Sequence, residues 1–116
     1  MKKDIKEEFI HLSLRYIDGI KNGPLSRSNA ACKKLRQICK VKCESDDKGH
    51  KFFSELIAHD EPAVRLWAAT FLYLSDPIAA TAEFQALEKL RVSHVSAFAF
   101  GSLLDIKNGN YKIIFD

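Results

Sequence analysis

Three cysteines, four histidines and one run of basic side chains are the residues whose chemistry has to be weighed first. Cys39 and Cys43 stand four apart, about one helical turn, and His50 follows them. Thiolate and imidazole suit zinc, but a structural zinc site closes with four ligands, usually as two closely spaced pairs. The fourth ligand is missing, so the spacing predicts no metal site. The odd thiol count, with Cys32, Cys39 and Cys43 all in one segment, does not read as a secreted disulfide framework either. The expectation is reduced thiols, mostly facing a core.

The histidines His11, His50, His59 and His94 are scattered. A catalytic nucleophile needs a base within hydrogen-bond reach, itself oriented by a third group. Ser93-His94 and His59-Asp60-Glu61 are the only local groupings, and the second reads as a solvated turn. Glycine-rich phosphate loops are absent from the sequence. The expectation is a protein without enzymatic activity and without a cofactor.

The basic run is more informative. Residues 27–42 hold Arg27, Lys33, Lys34, Arg36, Lys40 and Lys42 and no acid, so that window carries +6 in a chain of net charge +3. Three readings stand open: a solvated face, a surface for an acidic protein, or a surface for nucleic acid. Basic residues on stacked helices can track phosphates. Against that reading, acids elsewhere would repel a long duplex, and no aromatic residue is interleaved with the lysines to stack bases.

These side chains need elements to hold them. The chain has 116 residues, one domain's worth, with 47% hydrophobic residues, enough for a core without metals or disulfides. Ile5, Phe9, Leu12, Tyr16, Ile17 and Ile20 recur at three- and four-residue steps and predict a helix over 3–21, stopped by Asn22-Gly23-Pro24. A second helix is expected over 28–44, capped by Ser28 or Asn29, with Ala31, Leu35, Ile38 and Cys39 on its apolar face. A third covers 49–58. The fourth, 62–74, opens on Pro62 and is apolar on most sides, which marks it as central. Helices over 77–90 and 92–107 complete six. The tail Tyr111–Phe115 is β-branched and aromatic, and is expected to be extended and to pack back on the domain.

The chain also repeats itself. Phe53-x-x-Leu56 returns as Phe84-x-x-Leu87, and Val64-x-x-Trp67-Ala68-x-x-x-Leu72 as Val95-x-x-Phe98-Ala99-x-x-x-Leu103, all at an offset of 31 residues. Ala31 and Leu35 match Ala68 and Leu72 as a more divergent copy. One helix hairpin cannot bury its apolar face alone, whereas three stacked hairpins can. The predicted architecture is all-α: a right-handed stack of about three antiparallel helix hairpins in a single domain, 1–116, with the second helices lining one face.

Residues Asp60 to Ala69 resemble the turn and second helix of a HEAT-type repeat. More closely, the chain is similar to a small bacterial HEAT-like family of unknown function. The matching pieces are Asn29 with Leu35, Val64-Arg65-x-Trp67-Ala68-Ala69, Asp76-Pro77 with Ala80, and Ala99-x-x-x-Leu103 before Lys107-x-Gly109. They span 28–109. The sequence departs at Ile106, where the family often has Trp, and in its additional tail. The resemblance implies a HEAT-like stack in which a turn Asp such as Asp60 and a second-helix Arg such as Arg65 bridge neighbouring units. It also implies a role like that of the immunity proteins of bacterial toxin systems, which bind a cognate toxin and occlude it.

The repeat register suggests the surface for such a partner. Arg65, Ala69 and Tyr73 lie one turn apart on the least apolar side of helix four; Ser96 and Phe100 are equivalent on helix six, and Ser28, Cys32 and Arg36 on helix two. Arg and aromatic residues are what interface hot spots are made of. The expected partner-binding residues are Arg36, Arg65, Tyr73 and Phe100, assisted by Lys33, Lys40 and Glu61, with Trp67 in the core. Lys2 and Lys3 are followed by acids, not by an apolar run, and no stretch approaches the roughly 18 apolar residues of a membrane span. The expected location is the cytoplasm.

Overall fold

Local signals start and stop each helix close to where the sequence places them. The computed structural model describes residues 4–113 and 115. Helix α1 spans Ile5–Asn22, with the Asp4 side chain accepting from the Lys6 N–H at 2.8 Å and Glu7 and Glu8 in the first turn. Both suit the partial positive charge of a helix N-terminus. Gly23, at φ 60°, ends it in a conformation that only glycine adopts easily.

Helix α2 spans Leu25–Cys43. It begins three residues before the expected start, directly after Pro24. Ser28 therefore lies inside the helix, is 2% exposed, and donates to the Leu25 carbonyl at 2.9 Å instead of capping. Helices α3 (His50–Leu56), α4 (Pro62–Leu72), α5 (Pro77–Lys89) and α6 (Val95–Lys107) follow. Asp76 caps α5 by accepting from the Ala79 N–H at 3.1 Å. Among the described residues there is no strand.

The protein is an all-α fold of six helices, paired as three hairpins: α1 with α2, α3 with α4, α5 with α6. The repeat in the sequence is a repeat in burial. Phe53 and Phe84 are both 0% exposed, as are Ala68 and Ala99, and Val64 and Val95 differ by a single percent. The small side chains at Ala68 and Ala99 thus sit where helices approach closely. Ala31 and Leu35 in α2 are equally buried, so the first hairpin obeys the same pattern.

Helix α4 is central, packing on α1, α3, α5 and α6. An aromatic column binds the layers. Phe9 of α1 meets Phe52 and Phe53 of α3 edge-on, Phe53 stacks on Phe71 at 5.9 Å, and Phe71 stacks on Trp67 at 6.1 Å. Tyr16 closes the column edge-on against Trp67 at 5.2 Å. Such pairs add about 0.5–1.5 kcal/mol each beyond their area.

The stack is not uniform. Between the second and third hairpins, second helix meets second helix, α4 on α6. Between the first and second, it is α1 that lies on α4, and α2 stands off from α4. The gap this leaves is partly filled by the tail. Phe115 lies there, 5.7 Å from Phe71, while Tyr111 sits on the α5 side against Tyr73 and Phe84 and donates its hydroxyl to the Thr70 carbonyl at 2.7 Å. No described helix is long and apolar enough to cross a membrane.

Candidate functional site

The gap between α2 and α4 opens on the second-helix face as two adjoining spaces. One cleft of about 200 Å³ has Leu66, Trp67, Thr70 and Phe71 of α4 as its floor. Tyr16 of α1, Arg36 of α2, Phe98 and Ser102 of α6, and Lys112 of the tail form its walls. A second groove continues along α2, between Asn29, Cys32, Lys33, Arg36, Gln37 and Lys40 on one side and Phe115 on the other. The two share Arg36. Among the described residues four cations line them and no acid does.

The placement follows from helix geometry. Asn29, Cys32, Lys33, Arg36, Gln37 and Lys40 recur at three- and four-residue steps, so they form one stripe down α2 beside its buried face of Ala31, Leu35 and Cys39. At 1.5 Å per residue the basic part, Lys33 to Lys40, is about 10 Å long.

Charge is sorted by layer. The second helices α2, α4 and α6 carry Arg27, Lys33, Lys34, Arg36, Lys40, Lys42, Arg65 and Lys107 against the single acid Asp105. In the first helices α1, α3 and α5 acids and bases nearly cancel. Arg27 and Arg65 answer first-helix acids, at Asp18 and Glu83. Arg36 is also half-buried, yet among the described residues it forms no ion pair. Burial pushes the Tyr16 phenol above its ordinary range; Cys32 adds to the rise and the Arg36 guanidinium opposes it. The indole Nε1 of Trp67 is buried and, among the described residues, has no hydrogen-bond partner. A buried donor left unpaired costs about 1–3 kcal/mol.

Of the residues expected to bind a partner, Lys33, Arg36 and Lys40 are brought together in this groove. The others are not. Arg65 turns toward α5 and donates to Glu83, leaving Asp60 exposed and unbonded to it. The bridge between neighbouring units exists, but its acid comes from the next helix, not from the turn. Ala69 is fully buried, and Tyr73 packs on Tyr111 with ring centroids 4.5 Å apart. The register Arg65–Ala69–Tyr73 is therefore no open stripe: it faces α5 and the tail, because the open side of α4 is the one carrying Trp67 and Thr70. Glu61 is exposed at the start of α4, where its N–H donates to His59 Nδ1 at 3.0 Å. Phe100 is 51% exposed beside Leu104 on the outer side of α6.

Sequence reasoning missed Tyr16, Phe98, Lys112 and Phe115, which come from three elements and converge only in the fold. The signal for Phe98 was its repeat partner Trp67: the same position at the end of the stack has no further helix to cover it. No aromatic is interleaved with the basic residues along the chain, but in space Tyr16, Trp67, Phe98 and Phe115 line the same cleft and groove as Arg36.

The thiols and histidines form no comparable centre. Cys39 and Cys43 are buried and Cys32 half-buried, all free. Burial raises the Cys39 thiol strongly and the Cys43 thiol to about 11, the opposite of an activated thiolate. His50 Nδ1 lies 3.2 Å from the Ser75 hydroxyl, but that hydroxyl is directed at the Leu72 carbonyl and no third group is bonded to the ring. No group of three or more His, Cys, Asp or Glu among the described residues is placed to hold a metal ion.

The fold and this face define a helical-hairpin scaffold with a basic, aromatic-floored groove. No protein-family model matches the chain, and neither does any curated protein or solved structure.

Proposed function

We propose that this is a non-catalytic binding protein that docks an acidic protein partner on its second-helix face. Following the resemblance of its repeat residues to a small HEAT-like family of unknown function, of a kind found among toxin-immunity proteins, we propose that the partner is a toxin domain, neutralised by occlusion. The observation that carries the reading is the sorting of charge: Lys33, Arg36, Lys40 and Lys112 around an aromatic floor, with no acid among them. Such a field steers an oppositely charged partner and selects against like-charged ones. Phe98, 40% exposed on α6, supplies apolar area beside Arg36 and Lys112. A rigid stack of hairpins presents this surface ready-made, which lowers the ordering cost of binding.

The test is affinity capture from the native cell with the wild-type chain and with a Lys33→Glu, Arg36→Glu, Lys40→Glu variant. The expected result is one acidic protein held by the wild type and lost by the variant, whose toxicity on expression the wild-type chain suppresses. A partner retained equally by both would refute the reading.

A second reading, single-stranded nucleic acid, is favoured by the aromatic rings beside Arg36, the arrangement used to stack bases between phosphate contacts. The basic stripe is short for that purpose. Salt separates the two: phosphate contacts give a steep logarithmic loss of affinity with salt, whereas an interface with an apolar centre falls off gently.

A further inference from the structure

Two spaces meet at Arg36, a groove of about 570 Å³ along α2 and the smaller cleft over α4. At about 200 Å³ the cleft is the size of a side chain. Its floor and one wall are aromatic, through Trp67, Phe71 and Phe98, and its rim is cationic, through Arg36 and Lys112. It is open toward the α2 groove, where an aromatic side chain, Phe115, already lies against Phe71 on a stretch without regular secondary structure. Arg36 stands at the junction and, alone among the half-buried arginines, has no acid to answer it among the described residues.

From these features we infer that the cleft takes one aromatic side chain from an extended acidic segment of a protein partner. The ring enters between Trp67 and Phe98, and carboxylates flanking it in sequence meet Arg36 and Lys112, with Lys33 and Lys40 further along. An aromatic anchor in a desolvated pocket with charged groups around it is the usual form of an interface hot spot. Extended backbone suits the site because residues two apart share a face, so carboxylates two positions before and after the inward-facing ring reach the rim. A free aromatic acid would use only the cleft, whereas a segment also uses the groove along α2. The inference deepens the proposed function and rests on it for the nature of the partner.

Trp67 is the only tryptophan, so its fluorescence reports directly on the site. The experiment titrates the full chain with the probe peptide acetyl-Glu-Asp-Phe-Asp-Glu-amide, with its Phe-to-Ala analogue, with phenylacetate and with oligothymidylate, up to about 1 mM. The expected result is a saturable change with the Phe peptide, at least tenfold weaker for the Ala analogue and for phenylacetate, and weaker again for oligothymidylate. Arg36→Ala and Phe98→Ala are each expected to weaken the peptide at least fivefold, Arg36→Lys less, and Lys107→Ala, outside the cleft, not at all. No change with the Phe peptide, equal binding of the Ala analogue or of phenylacetate, or tighter binding of oligothymidylate would overturn the inference. Its failure is distinct from failure of the proposed function: a captured acidic partner that needs Arg36 but contributes no aromatic side chain would sink the former and leave the latter standing.

Discussion

The guanidinium of Arg65 donates from both Nε (3.0 Å) and Nη2 (2.6 Å) to one oxygen of Glu83, tying the central helix α4 to α5. Both side chains are mostly covered, at 22% and 12% exposure, so the pair is screened less than a surface bridge. Removing one partner leaves a partly buried charge unanswered. Arg65→Ala and Glu83→Ala are each expected to cost about 1–3 kcal/mol, below the range for fully buried pairs. The double variant is expected to cost less than the sum, by about 1 kcal/mol or more, in a denaturant double-mutant cycle. Additive losses would show that the two groups do not support each other.

Gly19 of α1 and Ser28 of α2 mark a close approach of the two helices. A Cβ built on Gly19 would stand 2.6 Å from the Ser28 backbone nitrogen. That neighbour is backbone and cannot rotate away, so α2 as a whole must shift. Gly19→Ala is expected to destabilise by about 1–3 kcal/mol, although alanine is the better helix former by about 1 kcal/mol. A urea melt in which Gly19→Ala gains stability would refute the close packing of α1 on α2.

The buried thiols make stability depend on alkaline pH. Burial holds Cys43 at about 11, and raises Cys39 further, above an ordinary value near 9. The unfolded chain therefore loses these protons first, and the native state binds more of them through this window. Stability is complete below about pH 9 and is lost as pH rises through the folded value. The melting temperature is expected to fall between pH 9 and 11 under reducing conditions, and to fall less steeply in a Cys39→Val, Cys43→Ala variant compared with its own value at neutral pH. Equal slopes would place the effect elsewhere.

The tail completes the end of α4. Tyr73 N–H bonds to the Ala69 carbonyl and Leu74 N–H to the Phe71 carbonyl, so the intervening Thr70 carbonyl is taken by the Tyr111 hydroxyl at 2.7 Å. Helix ends leave such carbonyls to be satisfied by other groups. Tyr111→Phe keeps the ring against Tyr73 and Phe84 and removes only this bond. The expected loss is about 0.5–1.5 kcal/mol, with a larger loss for Tyr111→Ala. Amide exchange at the end of α4 should quicken in both variants; unchanged exchange would mean that the tail does not hold that turn.

What the sequence could say depended on how far apart the interacting residues lie. The six helices and the three hairpins were legible, because periodicity and caps are local and the offset of 31 residues repeats the burial pattern of Phe53, Val64 and Ala68 in Phe84, Val95 and Ala99. The start of α2 was misread, because Ser28 and Asn29 look like caps, whereas packing against Gly19 holds Ser28 inside a helix. The basic stripe Lys33–Arg36–Lys40 was legible for the same reason as the helices. The partner surface on α4 was not: shifting the register by a whole repeat assumes uniform stacking. The first hairpin docks through α1 instead of α2, which opens the Trp67 side, while Glu83 of α5 and Tyr111 of the tail close the Arg65–Tyr73 side.

Trp67 tests how much of that open side is structural. Trp67 is 9% exposed, stacks on Phe71 and receives the edge of Tyr16, yet among the described residues its Nε1–H has no hydrogen-bond partner. The ring's area and stacking stabilise the fold, while the unpaired donor opposes that gain. Trp67→Phe keeps a stacked ring and deletes the donor, so the lost area and the relieved donor offset each other. The expected change is under about 1.5 kcal/mol, against about 3–5 kcal/mol for Trp67→Ala, which opens a cavity beneath the Arg36 cleft. Equilibrium unfolding of the two variants decides it. A Trp67→Phe loss as large as that of Trp67→Ala would mean that the Nε1–H has a partner in solution, and that the cleft is sealed by a hydrogen bond this structure does not contain.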